Sequence, residues 1–137
     1  MALTLKLEIV TPQATVFSSD VDLVTLPTAD GEIGIYPQHV RLITQLVPGE
    51  IIVSKDGQDT YLAVGEGLVD VDAAHVSILT DMAVRAADID EVAVTEARER
   101  AAARLREKLS DEEVASVNAS LVRAVAQLQV RRRSRVR

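Results

Sequence analysis

The 137-residue chain contains no cysteine, and that single absence removes disulfides, thiolate nucleophiles and cysteine-based zinc sites together. It is compatible with a reducing compartment. Tryptophan is missing too, and aromatics make up 2% of a chain that is 47% apolar, so any core has to be packed from Val, Leu, Ile and Ala. No apolar run approaches the ~20 residues of a membrane-spanning helix. The opening Met1-Ala2-Leu3-Thr4-Leu5-Lys6 lacks the basic-then-apolar order of a signal peptide, so the chain is expected to stay in the compartment where it is made. There is also no G-x-x-x-x-G-K-[ST] loop, no G-x-S-x-G elbow and no H-E-x-x-H pair, which argues against catalysis by this chain alone. No catalytic residue, metal site or cofactor is expected.

The charges that are present are unevenly placed. Splitting the chain after Ala86 leaves 4 basic and 12 acidic residues before it, and 11 basic and 9 acidic after it. The halves therefore carry −8 and +2, an asymmetry expected of two bodies with different partners. The natural division is 1–86 and 87–137.

In the first part Leu3, Leu5, Leu7 and Ile9 alternate with Thr4, Lys6, Glu8 and Val10, the period-2 pattern of a strand with one buried face. Runs rich in β-branched residues follow at 15–17, 21–26, 33–36, 50–54, 60–64, 68–71 and 76–80. They are separated by breakers able to supply fixed or positive φ: Pro27, Asp30-Gly31, Pro48-Gly49 and Asp56-Gly57, the last of which predicts a hairpin. Roughly eight to ten short antiparallel strands without an intervening helix predict an all-β sandwich or flattened barrel.

From Ala86 onward Gly and Pro vanish and Ala, Glu, Arg and Leu dominate. Asp88 with Glu91 has the spacing of a capping box, and Ile89, Val92, Ala93, Ala97, Ala101, Leu105 and Leu109 recur at helical spacing. Ser110 with Glu113 repeats the cap before a second stripe of Val114, Val117, Leu121, Val125 and Leu128. Two helices so closely joined predict an antiparallel α-helical hairpin. Its alanines give little burial energy, at ~0.8 kcal/mol per buried CH₂, so the hairpin is expected to hold its seat loosely.

Few residues invite a chemical role. His39 and His75 have no second His or Cys nearby to complete a metal site, and His75 is expected to be structural. Gly65-Glu66-Gly67 resembles the start of a nucleotide loop, but no helix follows to hold a phosphate, so close packing or a bulge is the better account. Asp20 and Asp22 share one side of a strand and are expected to be solvated rather than an acid–base pair. The arginines are more informative. After Glu113 no acid occurs, while Arg123, Arg131, Arg132, Arg133, Arg135 and Arg137 do. Base-last order complements a helix macrodipole; equally it offers a docking surface for an acidic partner. Nucleic acid is not expected, because the chain is acidic overall and has no aromatic platform beside the arginines.

The stretch Leu26-Pro27-Thr28-Ala29-Asp30-Gly31-Glu32-Ile33-Gly34-Ile35-Tyr36-Pro37-Gln38-His39-Val40 resembles the epsilon subunit family of F-type ATP synthases. The likeness continues through Pro48-Gly49-Glu50-Ile51, Gly67-Leu68-Val69-Asp70-Val71, Val76-Ser77-Ile78-Leu79-Thr80-Asp81 and Ala126-Gln127-Leu128. The resemblance implies a β-sandwich followed by a helical hairpin, in a non-catalytic rotor subunit at the cytoplasmic face of the bacterial plasma membrane. Its implied partners are the gamma subunit, the c-ring and the alpha/beta catalytic hexamer, with membrane association only through the complex. It implies a c-ring or gamma contact at Glu32 and His39, for which a plain turn carboxylate and a loop-holding hydrogen bond are the alternatives. The family's usual Gly and Pro around that histidine are Gln38 and Arg41 here. It implies that Arg123, Arg131, Arg132, Arg133 and Arg135 meet an acidic segment of the beta subunits and restrain ATP hydrolysis. Members that bind ATP use positions matching Ile89, Asp90, Ala93, Arg123 and Gln127. Two of their arginines are Ala93 and Gln127 here, which predicts weak or no ATP binding. The rival readings are a stand-alone nucleotide-sensing or ligand-binding module and a β-sandwich enzyme of unrecognised type.

Overall fold

The computed structural model describes residues 3–136; Arg137, one of the arginines named above, lies outside the described residues. Ten strands come first: β1 Leu5–Val10, β2 Thr15–Val21, β3 Leu23–Thr28, β4 Gly31–Ile35, β5 Leu42–Leu46, β6 Gly49–Lys55, β7 Gln58–Val64, β8 Gly67–Val71, β9 His75–Thr80 and β10 Ala83–Arg85. A single 3-10 turn, Ala86–Asp88, leads to α1 Glu91–Arg104 and α2 Asp111–Arg135.

Hydrogen bonding orders the strands β10-β7-β6-β3-β5-β8-β9-β1-β2, with β4 paired to β3. The pairs are antiparallel except β1 with β9, which run parallel from Lys6 opposite His75 to Val10 opposite Leu79. An all-antiparallel sheet was the expectation; a parallel partner is available because β1 and β9 are separated by enough chain for a crossover. The two ends of the order meet. Arg85 on β10 lies with its guanidinium 5.3 Å from the ring centroid of Phe17 on β2, and Lys55 Nζ donates to Ser19 Oγ at 2.9 Å. The sheet thus folds over on itself around one core.

That core is built from alternate strand positions, as period-2 burial requires. Leu5, Leu7 and Ile9 of β1 face Val21, Leu26, Ile35, Leu46, Ile51, Leu62, Val69 and Ile78. No helical residue belongs to this cluster. The turns carry the chemistry that the breakers announced. Lys55 pairs with Gln58 across Asp56 and Gly57, whose φ values of 52° and 77° suit a tight hairpin matched to strand twist. Gly67 is needed for a different reason: a Cβ there would lie 1.9 Å from Leu79 O, so the strand backbones approach too closely for a side chain. Asp22, one of the two paired acids, is occupied structurally, with its Oδ2 accepting from Asp56 N at 2.9 Å.

Several expectations are corrected. β5 and β10 were not anticipated, being short and at most half-buried at most positions. The cap of α1 is Asp90, whose side chain accepts from Ala93 N at 3.0 Å, rather than Asp88. The reason is Ile89, which is extended and buried in a second, smaller cluster with Ala63, Ala86 and Val130. Pulling Ile89 inward starts the helix two residues later. α1 also ends at Arg104 and not at Leu109. Arg106 N bonds to Ala103 O and Glu107 N to Arg104 O, i→i+3 bonds that tighten and close the helix, and the extended Ser110 cap requires a break before α2. The Ser110–Glu113 capping box itself is present, with both reciprocal bonds made.

The helices run antiparallel, since Arg104 reaches Glu113 at one end and Arg135 reaches Glu91 at the other. Their apolar stripes are less buried than the periodicity suggests. α1 has no buried residue, and Val92 is 69% exposed. On α2, Val117, Ala124, Ala126, Leu128 and Val130 are buried, whereas Val114 and Val125 are exposed. Removal of the Leu26 side chain opens the main core and is expected to cost about 2–5 kcal/mol in global stability. Leu128→Ala is expected to leave that main transition nearly in place and to speed amide exchange within α2. Urea unfolding followed in parallel with hydrogen exchange separates the two outcomes.

Candidate functional site

The arginines of α2, which have no acid after Glu113 in sequence, find acids brought from elsewhere by the fold. Arg123 Nη1 lies 3.4 Å from Asp81 Oδ2, in the link between β9 and β10. Arg133 Nη1 lies 3.6 Å from Glu50 Oε1 on β6, a carboxylate whose side chain is only 5% exposed. Glu91 at the start of α1 receives two guanidiniums, Arg135 Nη2 at 2.7 Å and Arg132 Nε at 3.6 Å. Arg131 Nη1 donates to Ala86 O at 3.4 Å. The cationic tip is thus seated on the body. None of these acids was matched to the arginines from the sequence, and Asp81 and Glu50 are far from them in the chain. Glu91 could have been found: an antiparallel hairpin places the first turn of α1 beside the last turn of α2.

The positions matched to an ATP motif are partly gathered. Ala93, Arg123 and Gln127 line one groove between the helices, a cavity of about 260 Å³ whose walls include Ala97 and Ala124. Ile89 is buried in the second cluster and Asp90 is engaged as the helix cap. Of the groove's motif positions only Arg123 is cationic, and its guanidinium already faces Asp81.

Glu32 and His39 are not brought together. Glu32 is exposed on β4, one residue after Gly31 at the β3–β4 turn, and pairs across the ladder with Pro27. His39 lies beyond the far end of that strand. Its Nδ1 is 2.6 Å from Val40 O, so the tautomer that donates from Nδ1 is held. Gln38 beside it has φ 66° and its N–H donates to Ala73 O at 2.7 Å. The loop keeps its shape with Gln38 in the left-handed region that a glycine would occupy more easily.

His75 turns to Asp72, with its Nδ1 3.2 Å from Asp72 Oδ1. The same oxygen accepts from Ala74 N and His75 N, each at 2.8 Å. Those backbone donors, Ala74 first, hold the Asp72 carboxyl below its ordinary range. Among the described residues no group of three or more His, Asp or Glu is placed to hold a metal.

Sequence reasoning missed one surface. On the outer face of the sheet Leu68 of β8 stands opposite Leu79 of β9, which stands opposite Val10 of β1. Leu79 is 55% exposed, and Ile43 on the neighbouring β5 is 58% exposed. The signal was an apolar residue at outward parity, Leu79 between the inward Ile78 and Thr80.

Two family models account for nearly the whole chain. ATP synthase, Delta/Epsilon chain, beta-sandwich domain matches residues 4–86, and ATP synthase, Delta/Epsilon chain, long alpha-helix domain matches residues 87–131. The chain belongs to the ATP synthase delta/epsilon family. Relatives named ATP synthase epsilon chain include one from Hydrogenovibrio crunogenus, 39% identical over 130 residues and covering 94% of this chain and 90% of the relative. Another, from Nitrosococcus oceani, is 39% identical over 136 residues and covers 98% and 97%. A solved mitochondrial ATP synthase from Euglena gracilis contains a chain of the same fold, with a TM-score of 0.67 at 21% identity, covering 98% of this chain and 82% of that one. A central stalk and c-ring structure from Tetrahymena thermophila gives 0.57 at 12% identity, covering 96% and 97%. Delta/epsilon membership agrees with the missing catalytic motifs, since the relatives are named as a chain of a larger enzyme. No helix is long and apolar enough to cross a membrane among the described residues.

The hairpin of this delta/epsilon chain carries its own acid-sensitive joint. Glu113 lies below its ordinary value of 4.5, first because Ser110 N–H donates to its carboxylate, then through the Ser110 hydroxyl and the nearby Arg104. A depressed carboxyl contributes stability above its unfolded value and loses it as pH falls through the folded one. Acidification is therefore expected to loosen the start of α2, and carbon-detected titration of the Glu113 carboxyl should give a midpoint below 4.5. A midpoint at or above that value would contradict the capping account.

Proposed function

We propose that this chain is the epsilon subunit of the central stalk of an F-type ATP synthase, turning with the rotor and carrying no chemistry of its own. In this reading the β-body, residues 1–86, joins the gamma subunit to the c-ring. The helical arm, residues 87–137, restrains ATP hydrolysis by the alpha/beta hexamer. The body is peripheral to the bacterial plasma membrane on its cytoplasmic face and reaches the membrane only through the complex.

What carries the reading is that the main core closes without any helical side chain, leaving a cationic hairpin attached to the outside of a self-sufficient body. A body of that kind can serve as a rigid coupling while its arm changes place. The exposed apolar pair Leu68 and Leu79, with Ile43 one diagonal step away on β5, suits a protein partner, because scattered apolar side chains are common on surfaces whereas neighbouring ones invite burial. We assign that surface to gamma. Glu32 at the start of β4 and His39 in the loop beyond its end are the candidates for contact with the c-ring and the adjoining gamma surface. Arg123, Arg131, Arg132, Arg133 and Arg135 are the candidates for an acidic segment of the beta subunits, where guanidinium–carboxylate pairs make strong charge-assisted bonds.

Truncation after residue 87 is expected to leave assembly with gamma intact and to raise ATP hydrolysis by the reconstituted complex. Replacing Arg131, Arg132, Arg133 and Arg135 together by Gln should reproduce most of that rise. Unchanged hydrolysis in both would remove the inhibitory role and spare the structural one. Failure of the full chain to co-purify with gamma would remove the structural one.

ATP itself is expected to bind weakly or not at all. The groove between the helices offers Ala93 and Gln127 where phosphate-binding cations would be needed. Isothermal titration of the isolated chain with ATP should show no micromolar affinity. Ala93→Arg with Gln127→Arg should strengthen whatever binding exists.

A further inference from the structure

Every described arginine of α2 already has an acceptor in the folded chain, and the carboxylates among these acceptors divide into two sets. Glu50 and Asp81 belong to the β-body and hold Arg133 and Arg123. Glu91 belongs to the hairpin itself and holds Arg132 and Arg135. We propose that Glu50 and Asp81 form an internal latch, competing with an external acidic surface for the same guanidiniums, so that the hairpin leaves the body by exchanging one set of carboxylates for another. This rests on the reading of the hairpin as a movable inhibitory arm.

The two anchors are built, not incidental. Asp81 is held by its N–H donating to Glu66 O at 3.1 Å, and its carboxylate occupies space that exists only because residue 65 is glycine. A Cβ at Gly65 would lie 1.8 Å from Asp81 Oδ1. Glu50 occupies an outward position on β6, opposite Ala63 of β7, and both are buried although the main core lies on the other face. α2 is what covers them, as Val130 packs against Ala63. Arg123 and Arg133 are ten residues apart, about 15 Å along a helix axis, so the anchors fix the direction of α2 as well as its position.

The make-up of the seat bears on release. A seat of leucines would resist exposure to water, whereas a carboxylate regains full hydration and an alanine exposes little apolar area. When α2 lifts, Glu50 regains water, while Ala63 is uncovered together with the Tyr61, Met82 and Val84 side chains that pack in the same cluster, so release carries an apolar cost that the latch carboxylates do not share. Glu91 acts in the opposite sense, because it travels with the arm and keeps α1 beside α2. Exposed pairs such as Asp81–Arg123 are individually weak and screened by salt. The Glu50–Arg133 pair, with its carboxylate side chain only 5% exposed, is less screened.

The test uses the intact chain, whose lack of cysteine allows labels at Ser77→Cys and Ser116→Cys alone. Spin-label distances should show one compact population in the parent chain, and E50Q/D81N should raise the separated population about tenfold. R123Q/R133Q, which leaves both acids in place, should open the hairpin at least as far. The control D20N/D70N makes the same charge change on exposed strand positions and should leave the distances alone, whereas added NaCl should widen them in the parent. Parent-like distances in both E50Q/D81N and R123Q/R133Q, or equal opening in the control, would overturn the latch. Opening of the latch variants with unchanged ATP hydrolysis in the assembled complex would leave the latch standing and remove the inhibitory arm.

Discussion

A sheet whose first and last hydrogen-bonded strands meet where Arg85 lies over Phe17, with Lys55 of β6 also reaching Ser19 of β2, encloses its apolar face with its own strands. The rest of the architecture depends on that closure. Because Leu5, Ile9, Leu26, Ile51 and Ile78 are all buried against one another, the helices are not called on to cover the core. They are free to be polar, alanine-rich and only partly buried, and α1 carries this furthest with no buried residue at all.

The attachment of the arm is correspondingly mixed. Leu128 and Val130 supply burial of about 1.5–3 kcal/mol each, and the small cluster of Ala63, Ala86 and Ile89 gives Val130 something to meet. Carboxylates supply direction. The helix order, acid-first and base-last, was explicable by the macrodipole alone. In the folded chain the same arginines also lie beside Glu50, Asp81 and Glu91, so charge order along the helix and seating on the body are satisfied by one set of residues.

Much of this was legible before any coordinates, where a local rule was strong. Alternation in β1, positive φ at Asp56-Gly57 and the Ser110–Glu113 box each depend on residues a few positions apart, and each appears as expected. What escaped depended on distant chain. β10 is three residues long and exists because β7 offers it an edge. Asp90 replaces Asp88 as cap because Ile89 is drawn into a cluster completed by Val130, some forty residues away. Among the candidate site residues, the arginines were recognisable as a charge cluster, but their acids were not, since pairing between Arg123 and Asp81 follows from tertiary docking and from the room that Gly65 leaves.

The parallel partnership of β1 with β9 sets an order of events during synthesis. Lys6 pairs with His75, 69 positions later, so the earliest strand must wait, paired at most with β2, until nearly the whole β-body has emerged. Non-local pairing of this kind is slow to form. The arm follows the whole β-body in the chain, so both strands of its seat, with Glu50 and Ala63 side by side, are always synthesised before the helix that covers them.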